Sequence, residues 1–424
     1  MTHPEGEGAP GASPPDAPAE AFLIELGQAL VRSGETVDEV QRALGDVGRR
    51  LGLGDVDVMA LPTFILLQSD RVTARVRSVG RSGYRLDQVS DVYDLLWRAR
   101  RGEVTPEEGL VEIAAVERRR PAYGRAGRSL GLGVLATGFS LMLQPTPEGA
   151  LISFALGTLV GAAVTQRIDE LRPVLPTLMS FVVAAAVFAL GDWYGGANPI
   201  RNLIPPLVVF LPGAAITAGT IELAAGEAIS GASRLVRGLM ELLLLAFGIT
   251  SAAALVGTSQ FDLIDRPLDT IGPWGYVPGL VLIALGYHFH MSAPRRSIPW
   301  ILLVLGVAFA GQSFGAAVFS AELSAFFGAL AMTPIVLAIG RHPSGPPSMV
   351  LFLPGFYLLV PGAAGLIGST ETIGVGTSLS PSDFVSTMVT VTAIALGVLV
   401  GTAVVESLAR GRRMLRSADP GQPG

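Results

Sequence analysis

Polar and apolar positions divide this chain into two unequal parts. Over residues 19–34 (AEAFLIELGQALVRSG) apolar residues recur at helical spacing and stop at Gly34, predicting an amphipathic helix. Residues 36–53 (TVDEVQRALGDVGRRLGL) predict a second, opened by Thr36 as N-cap with acids in the first turn. DVDVMALPTFILLQSDRVTARVRSV (55–79) changes to β-type composition and predicts two or three short strands, with turns near Pro62 and at Ser69-Asp70. Two more helices are expected over about 85–102 and 105–120, the latter opened by Thr105-Pro106. Together these make a small α/β layer over 21–125, within ordinary domain size.

Beyond residue 125 the alternation gives way to long apolar runs. A hydrocarbon core about 30 Å thick needs roughly 20 apolar residues in a helix. Ten stretches approach that length: about 128–145, 149–166, 173–191, 200–221, 238–257, 273–290, 298–317, 323–340, 348–368 and 385–406. Loop charges alternate between them. Arg118, Arg119, Arg120, Arg125 and Arg128, then Arg167 and Arg172, Arg234 and Arg237, Arg295 and Arg296, Arg341, and Arg410, Arg412, Arg413 and Arg416 all fall on one side. The opposite loops hold Arg201 and Arg266, the latter among Asp262, Asp265 and Asp269. This positive-inside pattern predicts a multi-pass protein of the cytoplasmic membrane with both termini in the cytoplasm.

The apolar part also repeats itself. Residues 212–222 read PGAAITAGTIE and 361–371 read PGAAGLIGSTE, and a further proline stands seven residues before each pair, at Pro205 and Pro354. GAAV recurs at 161–164 and 315–318, and LVGT at 255–258 and 399–402. Landmarks of the first five stretches thus recur five stretches later. An odd number of spans per copy inverts the second copy, and inverted repeats with an interrupted mid-membrane helix mark alternating-access transporters. The fold class expected is mainly α: two inverted five-helix repeats, over 126–258 and 271–408, behind a cytosolic α/β domain at 21–125. A disordered tail at 1–20 and a basic cytosolic tail at 409–424 complete the division.

Composition agrees and narrows the chemistry. The chain is 50% hydrophobic and 15% charged, with a mean hydropathy of +0.52, against about 25% charged in soluble domains. All 30 basic residues are arginine, so no P-loop lysine and no lysine Schiff base exists. The absence of cysteine excludes disulfides, thiolate metal sites and cysteine nucleophiles. In the front domain Asp55, Asp57, Asp70, Arg77, Arg81 and Arg85 read as solvated strand ends and loop charge, which leaves a regulatory or scaffolding module and no enzyme. His288 and His290 lie two apart, on different helical faces, and read as interfacial residues.

The candidate functional residues cluster at the repeats. Pro212-Gly213 and Pro361-Gly362 would open mid-membrane helices, with Gly219 and Gly368 as their shared inner glycines. Glu222 and Glu371 end the two copies as symmetry mates, where gates or proton-accessible carboxylates could sit. Glu241 stands in an apolar run, and an ionisable group there is a functional candidate. Arg237 at i−4 and Arg234 at i−7 share its face, so either a local Arg237–Glu241 pair or a solute contact is open.

These residues resemble the threonine/serine exporter family. The resemblance rests on SGETVDEVQRALGDVGRRLGL, ALPTFILL and RSVGRSGYRLDQVSDVYDL in the front domain, and on LPGAAITAGTIELAAGEAISGASRLVRGLMELLL in the first membrane half. That last segment carries the family pattern at Gly213, Glu222-Leu223, Gly226, Ser230-Gly231, Arg234 and Glu241; Glu222 stands where the family has aspartate. IPWILLVLGVAFAG and LPGFYLLVPG are similar to the smaller partner of split members. The resemblance implies proton-driven export of small polar metabolites, threonine and serine or dicarboxylates such as succinate. The expected partners are therefore the solute, protons and the lipid bilayer, with no nucleic acid, metal or cofactor, and a homo-oligomer left open. A membrane-anchored sensor acting through the front domain and a passive channel are the rival readings.

Overall fold

The computed structural model describes residues 17–54, 56–69, 72–80, 83–143, 145–166, 169–191, 199–257, 271–342, 345–359 and 381–417. It divides into two compact units, one of residues up to Gly83 with Asp91–Arg119, the other of Tyr84–Ser90 with Arg120 onward.

In the first unit α1 (Ala17–Arg32) and α2 (Val37–Arg50) precede β1 (Val56–Ala60), β2 (Phe64–Ser69) and β3 (Val72–Ser78). The strands form one antiparallel sheet in the order β1-β2-β3. α3 (Leu86–Arg101) and α4 (Pro106–Arg118) follow. Alternation sets the packing: Ile65 and Leu67 of β2 are buried with Phe22, Leu23 and Leu26 of α1 and Leu44 of α2. Gly27 lets these meet, since a Cβ there would lie 2.6 Å from Ile65 Cδ1 and 2.7 Å from Leu44 Cδ1. Glu20, buried in α1, is held by Arg75 of β3 at 3.3 Å.

The second unit is helical throughout its described residues. Its helices are α5 (Arg125–Met142), α6 (Pro147–Thr165), α7 (Leu175–Ala189), α8 (Pro199–Leu207), α9 (Gly213–Ala224) and α10 (Ala228–Val256). Then come α11 (Tyr276–His290), α12 (Ile298–Val318), α13 (Ala321–Gly340), α14 (Ser348–Leu359) and α15 (Pro381–Ser417). Among the described residues four helices are long and apolar enough to cross a bilayer: Pro147–Thr165, Ala228–Val256, Arg295–Val318 and Leu323–Gly340. A fifth is reached if Asn202–Phe210 and Gly213–Ala224, bent by 59°, are one span. Shorter apolar helices run over Leu175–Ala189, Ser348–Leu359 and Thr392–Leu408. The protein is thus a mainly helical membrane protein with a small sheet. Length and composition alone support four or five spans where the sequence suggested ten.

Glycines set how the helices pack, because small residues let backbones approach closely. A Cβ on Gly157 of α6 would lie 2.6 Å from Ala136 Cβ of α5, and one on Gly161 would lie 2.8 Å from Ser129 Cα, so the two helices run antiparallel. α5 also meets α11: a Cβ on Gly131 would lie 2.7 Å from the His290 amide, and one on Gly138 would lie 2.7 Å from the Ile283 amide. That pair is antiparallel as well. Gly397 and Gly401 of α15 face Phe326 and Thr333 of α13 in rising order, so those two run parallel.

The first turn of α4 offers a direct test in the soluble unit. The Thr105 amide donates to Glu108 Oε2 at 3.0 Å, and the Glu108 amide donates to the Thr105 hydroxyl at 3.3 Å. The bond from the Thr105 backbone amide first, and then the Thr105 side chain, hold the Glu108 carboxyl below its usual range. A depressed carboxylate stabilises above its unfolded value and loses that contribution as pH falls through the folded one. Glu108→Ala should therefore speed amide exchange at the start of α4 at neutral pH, and the difference from the parent should shrink on acidification. Equal exchange at neutral pH would show that the box does not hold this turn.

Candidate functional site

The break between α8 and α9 is written in its prolines. Pro205 and Pro206 lie inside α8, and proline has no N–H to donate. The carbonyl of Asn202 therefore has neither an i+3 nor an i+4 helical donor. A single 3-10 turn, Val208–Phe210, follows; Leu211 is extended, and Pro212 caps α9. The first amides of α9, from Gly213, have no intrahelical acceptor, as at any helix start. Leu211, Pro212 and Gly213 are buried, so these polar backbone groups lie inside the protein.

α9 turns tightly back into α10. Gly226 adopts a positive φ of 93°, and the Glu227 amide donates to the Glu222 carbonyl at 2.8 Å. Gly219 and Gly231 bring the two backbones together: a Cβ on Gly231 would stand 2.5 Å from the Gly219 carbonyl oxygen and 2.8 Å from the Leu223 amide. Against this contact Arg234 Nε of α10 reaches Glu222 Oε2 of α9 at 3.0 Å. The Glu222 side chain is 0% exposed and that of Arg234 14%. The sequence offered Glu222 as a gate or proton-accessible carboxylate and Arg234 as a candidate solute contact; the structure pairs the two with each other. One turn before Arg234, the Ser230 hydroxyl is buried with no hydrogen-bond partner, and so is Thr217 on α9.

Glu241 takes the local partner. Arg237 Nε meets Glu241 Oε1 at 2.9 Å, with Arg237 75% and Glu241 32% exposed. Arg234 shares its helix but turns toward α9. Tyr357 of α14 lies within electrostatic range of Glu241, and its ring is 6.2 Å from that of the buried Tyr287 of α11. Sequence reasoning passed over these two tyrosines. The available signal was the place of Tyr357, between the repeated prolines Pro354 and Pro361.

His288 and His290 are buried, where an interfacial position was expected. His288 Nδ1 lies 2.5 Å from the Ala293 carbonyl, which can only accept, so this nitrogen carries the proton. Nε2 then accepts from the Tyr123 hydroxyl at 2.7 Å. His290 Nδ1 donates to the Arg128 carbonyl at 2.9 Å. His290 thus ties α11 to the backbone of α5, and His288 ties the end of α11 to the residues on either side of it. Among the described residues no group of three or more His, Asp or Glu could hold a metal ion. Pro361, Gly362, Gly368 and Glu371 lie outside the described residues.

The hairpin therefore presents a buried acid, a guanidinium and an orphaned hydroxyl at one end of α9, whose other end starts at a buried break. Removing one member of a buried ion pair leaves an uncompensated charge, at a cost of about 3–5 kcal/mol. Glu222→Gln and Arg234→Gln should each lower the thermal stability of the detergent-solubilised protein sharply, and the double variant by much less than the sum. Additive losses would show that the two side chains are not coupled.

Comparison with known proteins supplies the family. The family model of the threonine/serine exporters, ThrE, matches residues 21–256, more than half of the chain. Pheromone-regulated membrane protein 10 of Eremothecium gossypii is 25% identical over 367 residues, covering 80% of this chain and 47% of its own length. The protein of that name from Kluyveromyces lactis is 24% identical over 427 residues, covering 90% of this chain and 43% of its own. The chain thus spans about half the length of these relatives. No solved structure matches it. The front sheet and the Pro212–Glu241 segment fall within that match, and the chain belongs to the threonine/serine exporter family.

Proposed function

We propose that this protein is a secondary exporter of small polar metabolites, threonine and serine first, working by alternating access and driven by the proton gradient across the cytoplasmic membrane. The observation that carries the reading is the bent α8–α9 pair with its buried break, and the buried Glu222–Arg234 pair at the other end of α9. Irregular backbone is tolerated at membrane depth where it lines a cavity or is buried in protein. In transporters such broken helices hold the solute near mid-membrane, with the amide end of a half-helix facing an anionic group.

Helix directions support the ten-span, inverted arrangement that the sequence suggested. Successive spans must alternate, and α5 with α6, and α9 with α10, pack antiparallel. The eighth and tenth stretches, α13 and α15, run parallel, as spans two apart must. α5 and α11, the first helices of the two halves, cross antiparallel, which a two-fold axis in the membrane plane requires. Both termini on the cytoplasmic side follow from the arginine-bearing loops. In this frame the α9–α10 turn faces the cytoplasm.

The test is efflux from proteoliposomes preloaded with labelled threonine, serine or succinate, with and without an imposed pH gradient. The expected result is gradient-accelerated loss of threonine or serine, slowed by Glu222→Gln. Loss of succinate alone would make the protein a dicarboxylate exporter. Flux that never responds to the gradient would make it a channel, and no flux at all would overturn the reading.

A further inference from the structure

We propose that the amide end of α9, together with the Thr217 hydroxyl, is the subsite that holds the carboxylate of the exported solute. The inference rests on the exporter reading and names the group that the site recognises: a carboxylate, held by neutral donors at the break in the membrane helix.

One hydroxyl leads to it. Thr137, Thr158, Thr165, Thr220, Thr250 and Thr333 each donate to the carbonyl four residues earlier in their own helix, at 2.8–3.0 Å. Thr217 does not: it is fully buried, and its hydroxyl has no hydrogen-bond partner. A helical threonine has that carbonyl within reach of a rotation about χ1, which here would be the carbonyl of Gly213. Buried polar groups in native proteins are nearly all paired, and leaving one unpaired is costly. A partner that comes and goes accounts for a hydroxyl held in this way.

The surroundings say what that partner is. The first helical bond of α9 runs from the Ile216 amide to the Pro212 carbonyl at 2.9 Å, so the amides of Gly213, Ala214 and Ala215 come before the ladder begins. Proline at the cap position offers no side-chain acceptor, and no side chain caps this helix start. Free amides and the helix dipole together favour an anion. Thr217 stands four residues after Gly213, on the same face, and a helical side chain leans toward the N-terminal end of its helix. It therefore adds a hydroxyl donor beside the amides, over a residue with no side chain of its own. Gly213 is buried while Ala214 and Ala215 are half-buried, so this helix start is not sealed. α10 packs on a different face of α9, the one carrying Ile216, Gly219 and Leu223. The Glu222–Arg234 pair lies at the opposite end. A carboxylate is the group that threonine, serine and succinate share.

Binding of labelled L-threonine to the purified, detergent-solubilised chain tests it. Threoninol, which carries a hydroxymethyl group in place of the carboxylate, should displace the label at least about tenfold less well than unlabelled threonine, the scale of a hydrogen bond to a charged group. Thr217→Val keeps the shape and loses the hydroxyl. It should weaken threonine binding by about tenfold and narrow the preference over threoninol. Thr217→Ser, which keeps the hydroxyl, should bind close to the parent. Because valine removes a buried hydroxyl that nothing satisfies, Thr217→Val should also melt at or above the parent temperature. If the chain binds succinate in place of threonine, succinate and its diamide serve as the pair. Parent-like binding by Thr217→Val, a lower melting temperature, or equal displacement by the carboxylate-free analogue would each overturn the inference and leave the exporter reading standing. No binding of threonine, serine or succinate by the parent would overturn both. Carboxylate-dependent binding without flux in proteoliposomes would overturn the exporter reading alone.

Discussion

Every peptide group placed at membrane depth needs a hydrogen-bond partner, and this chain spends three prolines denying that to one segment. Pro205, Pro206 and Pro212 end one half-helix and start another within eight residues. In hydrocarbon each unsatisfied group would cost several kcal/mol, so the surrounding protein must enclose the break. Much of the packing follows from that need. The buried face of α6 sets Gly149, Ser153, Gly157 and Gly161 among larger residues, α5 crosses both α6 and α11 through glycine notches, and α9 folds back on α10 at a Gly–Gly contact.

The enclosed hairpin then carries a charge problem of its own. A carboxylate and a guanidinium brought out of water repay their desolvation only through each other, so the Glu222–Arg234 pair is weak support for stability and a strong constraint on geometry. It fixes which face of α10 turns toward α9. It also makes the hairpin sensitive to any event that alters one of the two charges. The exposed Arg237–Glu241 pair one turn further on has no such leverage, since exposed ion pairs of this spacing contribute little. Two arginines three residues apart on one helix thus have different work, decided by burial.

Features that follow from covalent chemistry were legible in the sequence. The break at Pro212 could be read because proline lacks a donor, and the strands of the front unit because Ile65 and Leu67 alternate with outward residues. The Glu222–Arg234 pairing could not be read, because it depends on how two helices rotate about a glycine contact. Spacing alone put Arg234 on the face of Glu241, seven residues away. The burial of His288 and His290 was hidden for a related reason: their partners, Tyr123 and Arg128, come from a segment some 160 residues earlier. The apolar runs overstate the helices that fill them: α7, α11 and α14 have 15, 15 and 12 residues, short of the usual crossing length of about 20.

The central claim is that Glu222 and Arg234 act as a pair in the export cycle, and charge reversal tests it most directly. Gradient-driven efflux would be compared for Glu222→Arg, Arg234→Glu and the protein carrying both changes. The account predicts that each single reversal, which sets two like charges against each other in a buried site, abolishes efflux. Exchange of the two should restore a measurable part of it. Parent-level efflux from either single reversal would contradict the account.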